Sequence, residues 1–255
     1  MSPSLVIETC GTVAGGYVLA SNNTVLAAGA IASEGDTPSL AAFQAGAEAA
    51  AKQGITAIQV HGIERRLAAP PENVVVQFTD SEKRFSELAA ALASARAADI
   101  ALDRDLTTDP SAPVLNPVHI YSDAAYDHSS SFGQIGYIVL DGVGVVRDFT
   151  GRKVESTSIR ELEYTAALEA ARSATTINRA DELRFVTDNW QTSDALNPDK
   201  PLDTDNEAGV SLHRFMTNLR GYSIDVVHSD RSSVGVADTL ATMAATEDVE
   251  FMPHQ

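Results

Sequence analysis

The same order of predicted elements occurs twice in the 255-residue chain. Each half begins with a strand, continues through a β-hairpin and a helix, and ends with two strands and a helix, as judged from apolar runs and helical spacing. Between the halves, residues 99–117 contain three prolines and show no sustained periodicity, so we predict a linker there. The pattern predicts two α/β domains, residues 1–98 and 118–255.

The helices that follow the two predicted hairpins resemble each other in sequence. AFQAGAEAA at residues 42–50 matches EYTAALEAA at residues 163–171, and both lie between a hairpin and a strand. Alanine-rich helices also resemble one another by chance, but the matching order of elements is independent support. We therefore interpret the chain as an internal duplication.

Four acidic residues of the second half are its most informative side chains. Asp123 and Asp188 end the β-like runs HIYSD and LRFVTD, whereas Glu163 and Asp238 lie in alanine-rich helical segments. Grouped carboxylates bind divalent metal ions. Without a cation, four such charges would repel one another and raise one another's pKa values. If the fold brings the four together, the sequence therefore predicts a metal site.

Each acid also has an ordinary structural interpretation. An aspartate after a strand often caps a turn or the next helix, and an acid near a helix N-terminus, such as Asp238, interacts favourably with the helix dipole. Glu161 lies two residues from Glu163 and is an alternative ligand. Helical spacing favours Glu163, because it shares a face with Ala166 and Ala170.

The duplication predicts that the second half alone keeps these acids. The corresponding positions are Ala42 for Glu163, a position at or beside Gly62 for Asp188, and a position near Thr9 or Cys10 for Asp123. The first half is therefore expected to lack the carboxylates and to be a structural or binding partner of the second.

Five residues give the second half a resemblance to the type I ribonuclease H family. The family places an aspartate at the end of the first strand, a glutamate in the first helix, an aspartate at the end of the fourth strand and an aspartate in the last helix. Asp123, Glu163, Asp188 and Asp238 occur in that order. A family histidine lies ten residues before the last aspartate, as His228 does here. The first half looks like a degenerate copy of the same fold.

The resemblance implies an α/β fold with a mixed five-stranded sheet flanked by helices. It also implies an endonuclease that cuts the RNA strand of RNA/DNA hybrids, with two Mg²⁺ or Mn²⁺ ions per active site held by the four acids. His228 would be a general acid or proton shuttle for the leaving group. A histidine after a strand is otherwise an ordinary surface or core residue.

Few basic residues are available for binding nucleic acid. The net charge is −17 and only four of the eighteen basic residues are lysine, which argues against broad phosphate binding. The one basic concentration of the second half contains Arg147, Arg152, Lys153 and Arg160. We interpret Arg152, Lys153 and Arg160 either as phosphate contacts or as solvated charges around a hairpin and a helix start. Acidic, lysine-poor composition is also typical of a high-salt or GC-rich host.

Other features of the second half bear on the substrate. Trp190 closely follows Asp188 and either stacks on a nucleotide or packs in the core. Relative to the family pattern, the chain lacks a glycine-rich turn after Asp123 and the asparagines at the helix start. The region between Asp188 and His228 is acidic, with no basic protrusion. The residues that would grip a substrate are therefore reduced.

Two other classes of function stay open. Two ribonuclease-H-like halves also build the sugar-kinase and actin-like group, in which a nucleotide binds between the halves. Residues 7–29 faintly resemble the first phosphate loop of that group, with Glu8 or Thr9 in place of its aspartate. A non-catalytic interaction scaffold is the third alternative.

Neither a membrane span nor a signal peptide is predicted. No apolar run approaches the roughly 18 to 20 residues that cross a bilayer, and the N-terminus lacks a basic start followed by a long apolar core. We expect a cytoplasmic protein with an RNA/DNA hybrid as its partner and no membrane partner. The sequence indicates no particular protein partner.

Overall fold

Two α/β units make up the chain in a computed structural model. One unit comprises Met1–Pro113, Gly144–Val146 and Glu250–Gln255, and the other comprises Val114–Val143 and Arg147–Val249. The structure describes residues 3–22, 24–33, 38–63, 71, 73–79, 85–106, 117–126, 132–142, 144–156, 158–177, 182–201, 205–231, 234–244 and 250–251. For residues 98–106 and 250–251 it describes the backbone alone.

The first unit is built on a mixed sheet of six strands. Its elements are β1 (Ser4–Cys10), β2 (Ala14–Ser21), β3 (Thr24–Ala32), α1 (Pro38–Lys52), β4 (Ala57–His61), β5 (Val75–Phe78), α2 (Ser86–Leu106) and β11 (Glu250–Phe251). The strand order is β11-β3-β2-β1-β4-β5. The hairpin strands β1, β2 and β3 pair antiparallel, whereas β4 pairs in parallel with both β1 and β5.

The second unit is built on a mixed sheet of five strands. Its elements are β6 (Val118–Tyr126), β7 (Phe132–Leu140), β8 (Val146–Glu155), α3 (Ile159–Ala174), β9 (Glu182–Thr187), α4 (Trp190–Leu196), α5 (Glu207–Asn218), β10 (Ser223–His228) and α6 (Gly235–Ala244). The strand order is β10-β9-β6-β7-β8. Strand β6 pairs antiparallel with β7 and in parallel with β9, and β9 pairs in parallel with β10.

The main core of the second unit lies between the sheet and helices α3 and α5. All six residues of β9 are buried, as expected for a strand with parallel neighbours on both sides. Ile120 and Phe185 belong to the same apolar cluster as Tyr164 of α3. Helix α5 lies close against α3, and Gly209 permits this contact because it has no side chain. A Cβ at that position would be 2.7 Å from the Tyr164 ring. This packing fixes α3 on the sheet.

The expected fold class is confirmed. Each unit contains a mixed five-stranded sheet flanked by helices, and the sheets share one order, with the third, second, first, fourth and fifth strands side by side. In the first unit, β11 adds a sixth strand beside β3. The common order is consistent with the predicted duplication.

The element predictions differ from the structure in two respects. Helices α4 and α5 and strand β11 were not predicted. Residues 99–106, expected to belong to the linker, instead continue α2 to Leu106, because they contain neither proline nor glycine and include good helix formers. Residues 107–116 of the predicted linker lie outside the described residues. None of the helices that the structure describes combines the length and apolar composition of a membrane span.

Candidate metal centre

Two parallel strands bring Asp123 and Asp188 to one end of the second sheet. Tyr121 of β6 lies opposite Val186 of β9, so Asp123 and Asp188 each follow two residues later on neighbouring strands. Asp123 lies within β6, and Asp188 directly follows β9. Side chains two residues further along a strand point to the same face, so both carboxylates reach the same part of the sheet.

Helix α6 reaches this part of the sheet because Gly136 allows close contact. Gly136 of β7 lies opposite Asp123. A Cβ on Gly136 would be 2.1 Å from the carbonyl oxygen of Ala237 and 2.6 Å from the backbone nitrogen of Ala241, so any side chain would displace the helix. Asp238 directly follows Ala237, and its charge raises the pKa of Asp123.

Helix α3 places Glu163, not Glu161, beside Asp123. The helix begins after Ser158, whose hydroxyl accepts a hydrogen bond from the backbone N–H of Glu161. The Glu161 carboxylate accepts a hydrogen bond of 2.6 Å from the Ser156 hydroxyl and so belongs to the helix start. Glu163 is 5% exposed and lies within hydrogen-bonding reach of Asp123. This placement agrees with the preference for Glu163, and its role as a ligand stays a prediction.

Asp123 and Glu163 form a buried carboxyl pair. Asp123 is 4% exposed, and its Oδ1 accepts a hydrogen bond of 2.8 Å from the Ala124 backbone N–H. Asp123 Oδ2 and Glu163 Oε2 have no hydrogen-bond partner among the described residues. Burial is the main cause of the raised pKa of each carboxyl group, and the charge of Asp188 raises both further. The Ala124 N–H offsets part of the rise for Asp123.

Arg231 belongs to this site, although no sequence pattern indicated it. It lies between β10 and α6, and its Nη2 is 3.3 Å from Asp238 Oδ1. The Arg231 side chain is 78% exposed and that of Asp238 is 36% exposed. The charge of Arg231 lowers the pKa of Asp123 and of Glu163. Its one signal in the sequence is that it is the basic residue within the family-like segment HSDRSSVGVAD.

His228 borders the acids through the backbone of Asp188. It ends β10 opposite Thr187, and its Nε2 lies 3.1 Å from the carbonyl oxygen of Asp188. A carbonyl oxygen accepts but cannot donate, so Nε2 carries the proton in this contact. The imidazole is exposed. The structure therefore brings His228 to the same end of the sheet as the acids.

Trp190 is 64% exposed, so the alternative that it packs in the core is wrong. It begins α4, whose N-cap residue Asn189 accepts hydrogen bonds from the backbone N–H groups of Gln191 and Thr192. This capped helix start directly follows Asp188, so Trp190 is two residues from Asp188 in the sequence. Stacking on a nucleotide stays a prediction.

The predicted basic contacts lie on β8 and at the start of α3. Arg152 forms an ion pair with Glu169, which is six residues beyond Glu163 and therefore about 9 Å further along the helix axis. Lys153 and Arg160 are exposed. The remaining member of the basic concentration, Arg147, pairs with Asp141. Arg147 and Arg152 are therefore paired with carboxylates of the protein, and phosphate binding by Arg152 would require exchange of its partner.

The carboxylate oxygens of the site fit a hard divalent ion that takes its remaining ligands from water or substrate. Within the described ranges, no three histidine, cysteine, aspartate or glutamate side chains are arranged to hold an ion by themselves. Asp123 Oδ2 and Glu163 Oε2 nevertheless lack a hydrogen-bond partner among the described residues, and an unpartnered buried carboxylate is costly. Mg²⁺ commonly keeps several waters and binds one or two carboxylates plus substrate phosphates. The residues present therefore fit such an ion.

The first unit keeps one acid at the corresponding place. Glu8 lies opposite Gly16, and a Cβ on Gly16 would be 2.0 Å from the carbonyl oxygen of Ala89 in α2. Asp123, Gly136 and α6 have the same arrangement in the second unit. Strand register therefore aligns Asp123 with Glu8, which lies one or two residues before the predicted Thr9 or Cys10.

The other three positions of the first unit carry no carboxylate. Register of β1 with β4 places Ile63, beside the predicted Gly62, at the position of Asp188. Ala89 of α2 contacts Gly16 as Ala237 of α6 contacts Gly136, so the next residue, Ala90, lies at the position of Asp238. The buried residues of α1 and α3 align when Ala42 is matched with Glu163. The hydroxyl of Ser86 donates a hydrogen bond to the Glu8 carboxylate. Under the predicted duplication, the first half therefore has Glu8 at the position of Asp123 and lacks the other three carboxylates.

The second unit has the mixed five-stranded sheet flanked by helices that its resemblance to the type I ribonuclease H family implies. No protein-family model and no curated protein matches the chain. RNase H1 from the halophilic archaeon Halobacterium salinarum is similar in structure, with 22% identity and a TM-score of 0.43 over 51% of this chain and 98% of that chain.

Two further solved structures are similar. LC11-RNase H1 in complex with an RNA/DNA hybrid matches 51% of this chain and 97% of its own length, with 18% identity and a TM-score of 0.44. The protease-reverse transcriptase of prototype foamy virus matches 96% of this chain and 39% of its own length, with 10% identity and a TM-score of 0.41. At such sequence identities, structural similarity concerns the backbone fold and not the chemistry of the site.

Proposed function

We propose that the second unit is a divalent-metal-dependent endonuclease that hydrolyses the RNA strand of RNA/DNA hybrids. The observation that carries this proposal is the buried pair Asp123 and Glu163, each with an unpartnered oxygen, beside Asp188 and Asp238. Two adjacent buried carboxyl groups are costly unless a cation or a proton compensates them. Apolar residues there would stabilise the fold better, so the arrangement favours a function in binding a cation.

The four acids would hold two Mg²⁺ or Mn²⁺ ions. Such ions, when bound, stabilise charge on the scissile phosphate and lower the pKa of the attacking water. Asp123 is held by the central strand β6 and by the bond from Ala124, so its free oxygen has a fixed direction. Asp188 and Asp238 are more exposed and lie where the acids meet solvent, which leaves room for a phosphate.

His228 is assigned the proton transfer to the leaving oxygen. Its contact with the Asp188 carbonyl keeps the imidazole beside the acids, and its exposure gives it access to a bound strand. An imidazole side chain can both donate and accept a proton. His228→Ala is therefore expected to lower kcat more than it raises KM.

The hybrid would be held by few contacts. Trp190 offers an exposed aromatic face for stacking on a base or sugar, and Lys153 and Arg160 are exposed cations. Arg152 would contribute after leaving Glu169. The choice of an RNA/DNA hybrid as substrate rests on the resemblance of the four acids and His228 to the ribonuclease H pattern.

Cleavage of a labelled hybrid tests the proposal. With Mg²⁺ or Mn²⁺, the purified protein is expected to cut the RNA strand and to leave the DNA strand intact. Asp188→Asn should lower kcat/KM at least about a hundredfold, since loss of a residue that merely supports a metal ligand already costs 10 to 100-fold. The matched control is Asp194→Asn in α4, a half-exposed aspartate paired with Lys200, which should cut normally. Failure to cut any hybrid, or normal cutting by Asp188→Asn, would refute the proposal.

A further inference from the structure

A positively charged side chain stands at the exposed side of the acids. Arg231 contacts Asp238 through one nitrogen and one oxygen, 3.3 Å apart, without the two parallel bonds of a strong arginine-carboxylate pair. The side chain is 78% exposed. Such a pair is weak and easily exchanged, because solvent screens it and the arginine can move freely.

The charge of Arg231 also acts beyond its contact with Asp238. It lowers the pKa of Asp123 and of Glu163, and Asp188 lies near enough to act on Arg231 in return. The guanidinium group therefore compensates part of the repulsion among all four acids. A divalent ion at these acids would be repelled by it and would compete with it for Asp238.

We propose that Arg231 is the resident counter-ion of Asp238, which a divalent metal ion must displace from that carboxylate. This rests on the proposed function, because it takes Asp238 as a metal ligand. Arg231 compensates the charge of Asp238 before the ion arrives. It leaves Asp238 when the ion binds, at a cost to metal affinity.

Titration of the nucleic-acid-free protein with Mn²⁺, followed by calorimetry, measures this competition directly. Arg231→Ala is expected to bind Mn²⁺ about two- to fivefold more tightly than the unchanged protein, the range that a weak exposed ion pair allows. Arg231→Lys keeps a positive charge and should bind Mn²⁺ nearly as the unchanged protein does. Arg220→Ala is the matched control, because it removes an exposed arginine just before β10, at the opposite end of that strand from His228.

The possible outcomes separate this proposal from the proposed function. Tighter binding by Arg231→Ala together with unchanged binding by Arg220→Ala supports the counter-ion role. Equal or weaker binding by Arg231→Ala overturns it and leaves the metal centre intact, as does equal tightening by both alanine variants, which would show a general effect of net charge. If the unchanged protein binds no Mn²⁺ at millimolar concentration, the metal centre fails, and the counter-ion role fails with it.

Discussion

Among single residues, Asp123 and Glu163 show how the site differs from an ordinary group of surface acids. Sequence pattern identified both, because each lies at a definite place on a strand or helix. It could not show that both are nearly inaccessible to solvent, or that one oxygen of each lacks a partner among the described residues. Those properties depend on how closely α3 lies against β6. The burial and the missing partners make it unfavourable for both carboxyl groups to be ionised at once.

Replacing Glu163 by glutamine is expected to stabilise the metal-free protein. The pKa of Glu163 is raised from 4.5 to about 9, mainly by burial, so the folded state retains a proton that the unfolded chain has lost. The stability associated with this proton is complete below pH 4.5 and is lost as pH rises toward 9. Glu163→Gln should therefore raise the free energy of unfolding by roughly 1 to 3 kcal/mol near pH 8.

Urea unfolding between pH 5 and 9 in the presence of a chelator checks this expectation. The unchanged protein should lose stability as pH rises, and Glu163→Gln should lose less. Glu207→Gln, which alters an exposed glutamate in the first turn of α5, provides the control and should follow the unchanged protein. Identical pH profiles for Glu163→Gln and the unchanged protein would show that folding does not raise the pKa of Glu163.

Arg231 and Trp190 mark the limit of prediction at this scale. Arg231 lies in a loop, where no periodicity indicates the direction of a side chain. Trp190 follows an apolar strand, a place that favours a core residue, but the Asn189 cap turns the chain so that the indole faces solvent. Both positions are fixed by backbone geometry between elements, which composition and spacing do not reveal.

Among the elements, contact between β7 and α6 decides whether the fourth acid joins the other three. Gly136→Ala would place a methyl group 2.1 Å from the Ala237 carbonyl oxygen, so α6 must shift and carry Asp238 with it. We expect a loss of roughly 1 to 3 kcal/mol in the free energy of unfolding, the usual range for overpacking, together with weaker metal binding.

The matched control for this contact lies in the same helix. Gly235 begins α6, and a Cβ added to it would meet no atom within 4 Å among the described residues that surround the helix. Gly235→Ala should therefore leave both stability and Mn²⁺ affinity nearly unchanged. Urea unfolding and calorimetric titration measure the two properties. If Gly136→Ala behaved like Gly235→Ala, the close approach of α6 would not be what positions Asp238.

The order of the elements was largely predictable, whereas their bounds and the polar helices were not. Alternating and continuous apolar runs indicated strands β1 to β10, and alanine-rich spacing indicated α1, α3 and α6. Helix α5 was missed because its short sequence mixes polar and apolar residues and contains Gly209, and its burial depends on the close contact of Gly209 with Tyr164 of α3. The end of α2 was missed because the aspartates of residues 99–106 are also typical of a linker.

For the whole molecule, the net charge of −17 is the dominant property. Like charges repel across a folded surface, and salt screens them over roughly 10 Å at 0.1 M. Thermal unfolding is expected to shift to higher temperature when NaCl rises from about 0.05 M to 1 M. Sucrose at the same osmolarity provides the control for effects other than charge. A midpoint that is unchanged or lower in NaCl would show that self-repulsion does not limit stability.

The central claim is that the acids of the second unit form one metal centre. Anomalous diffraction from crystals soaked in Mn²⁺ tests it most directly, because the signal locates the ion without assumptions about activity. We predict an ion within coordination distance of the Asp123 carboxylate and of at least one of Glu163, Asp188 and Asp238. Mn²⁺ bound elsewhere, or absent from these acids at concentrations that support hybrid cleavage, would contradict the claim.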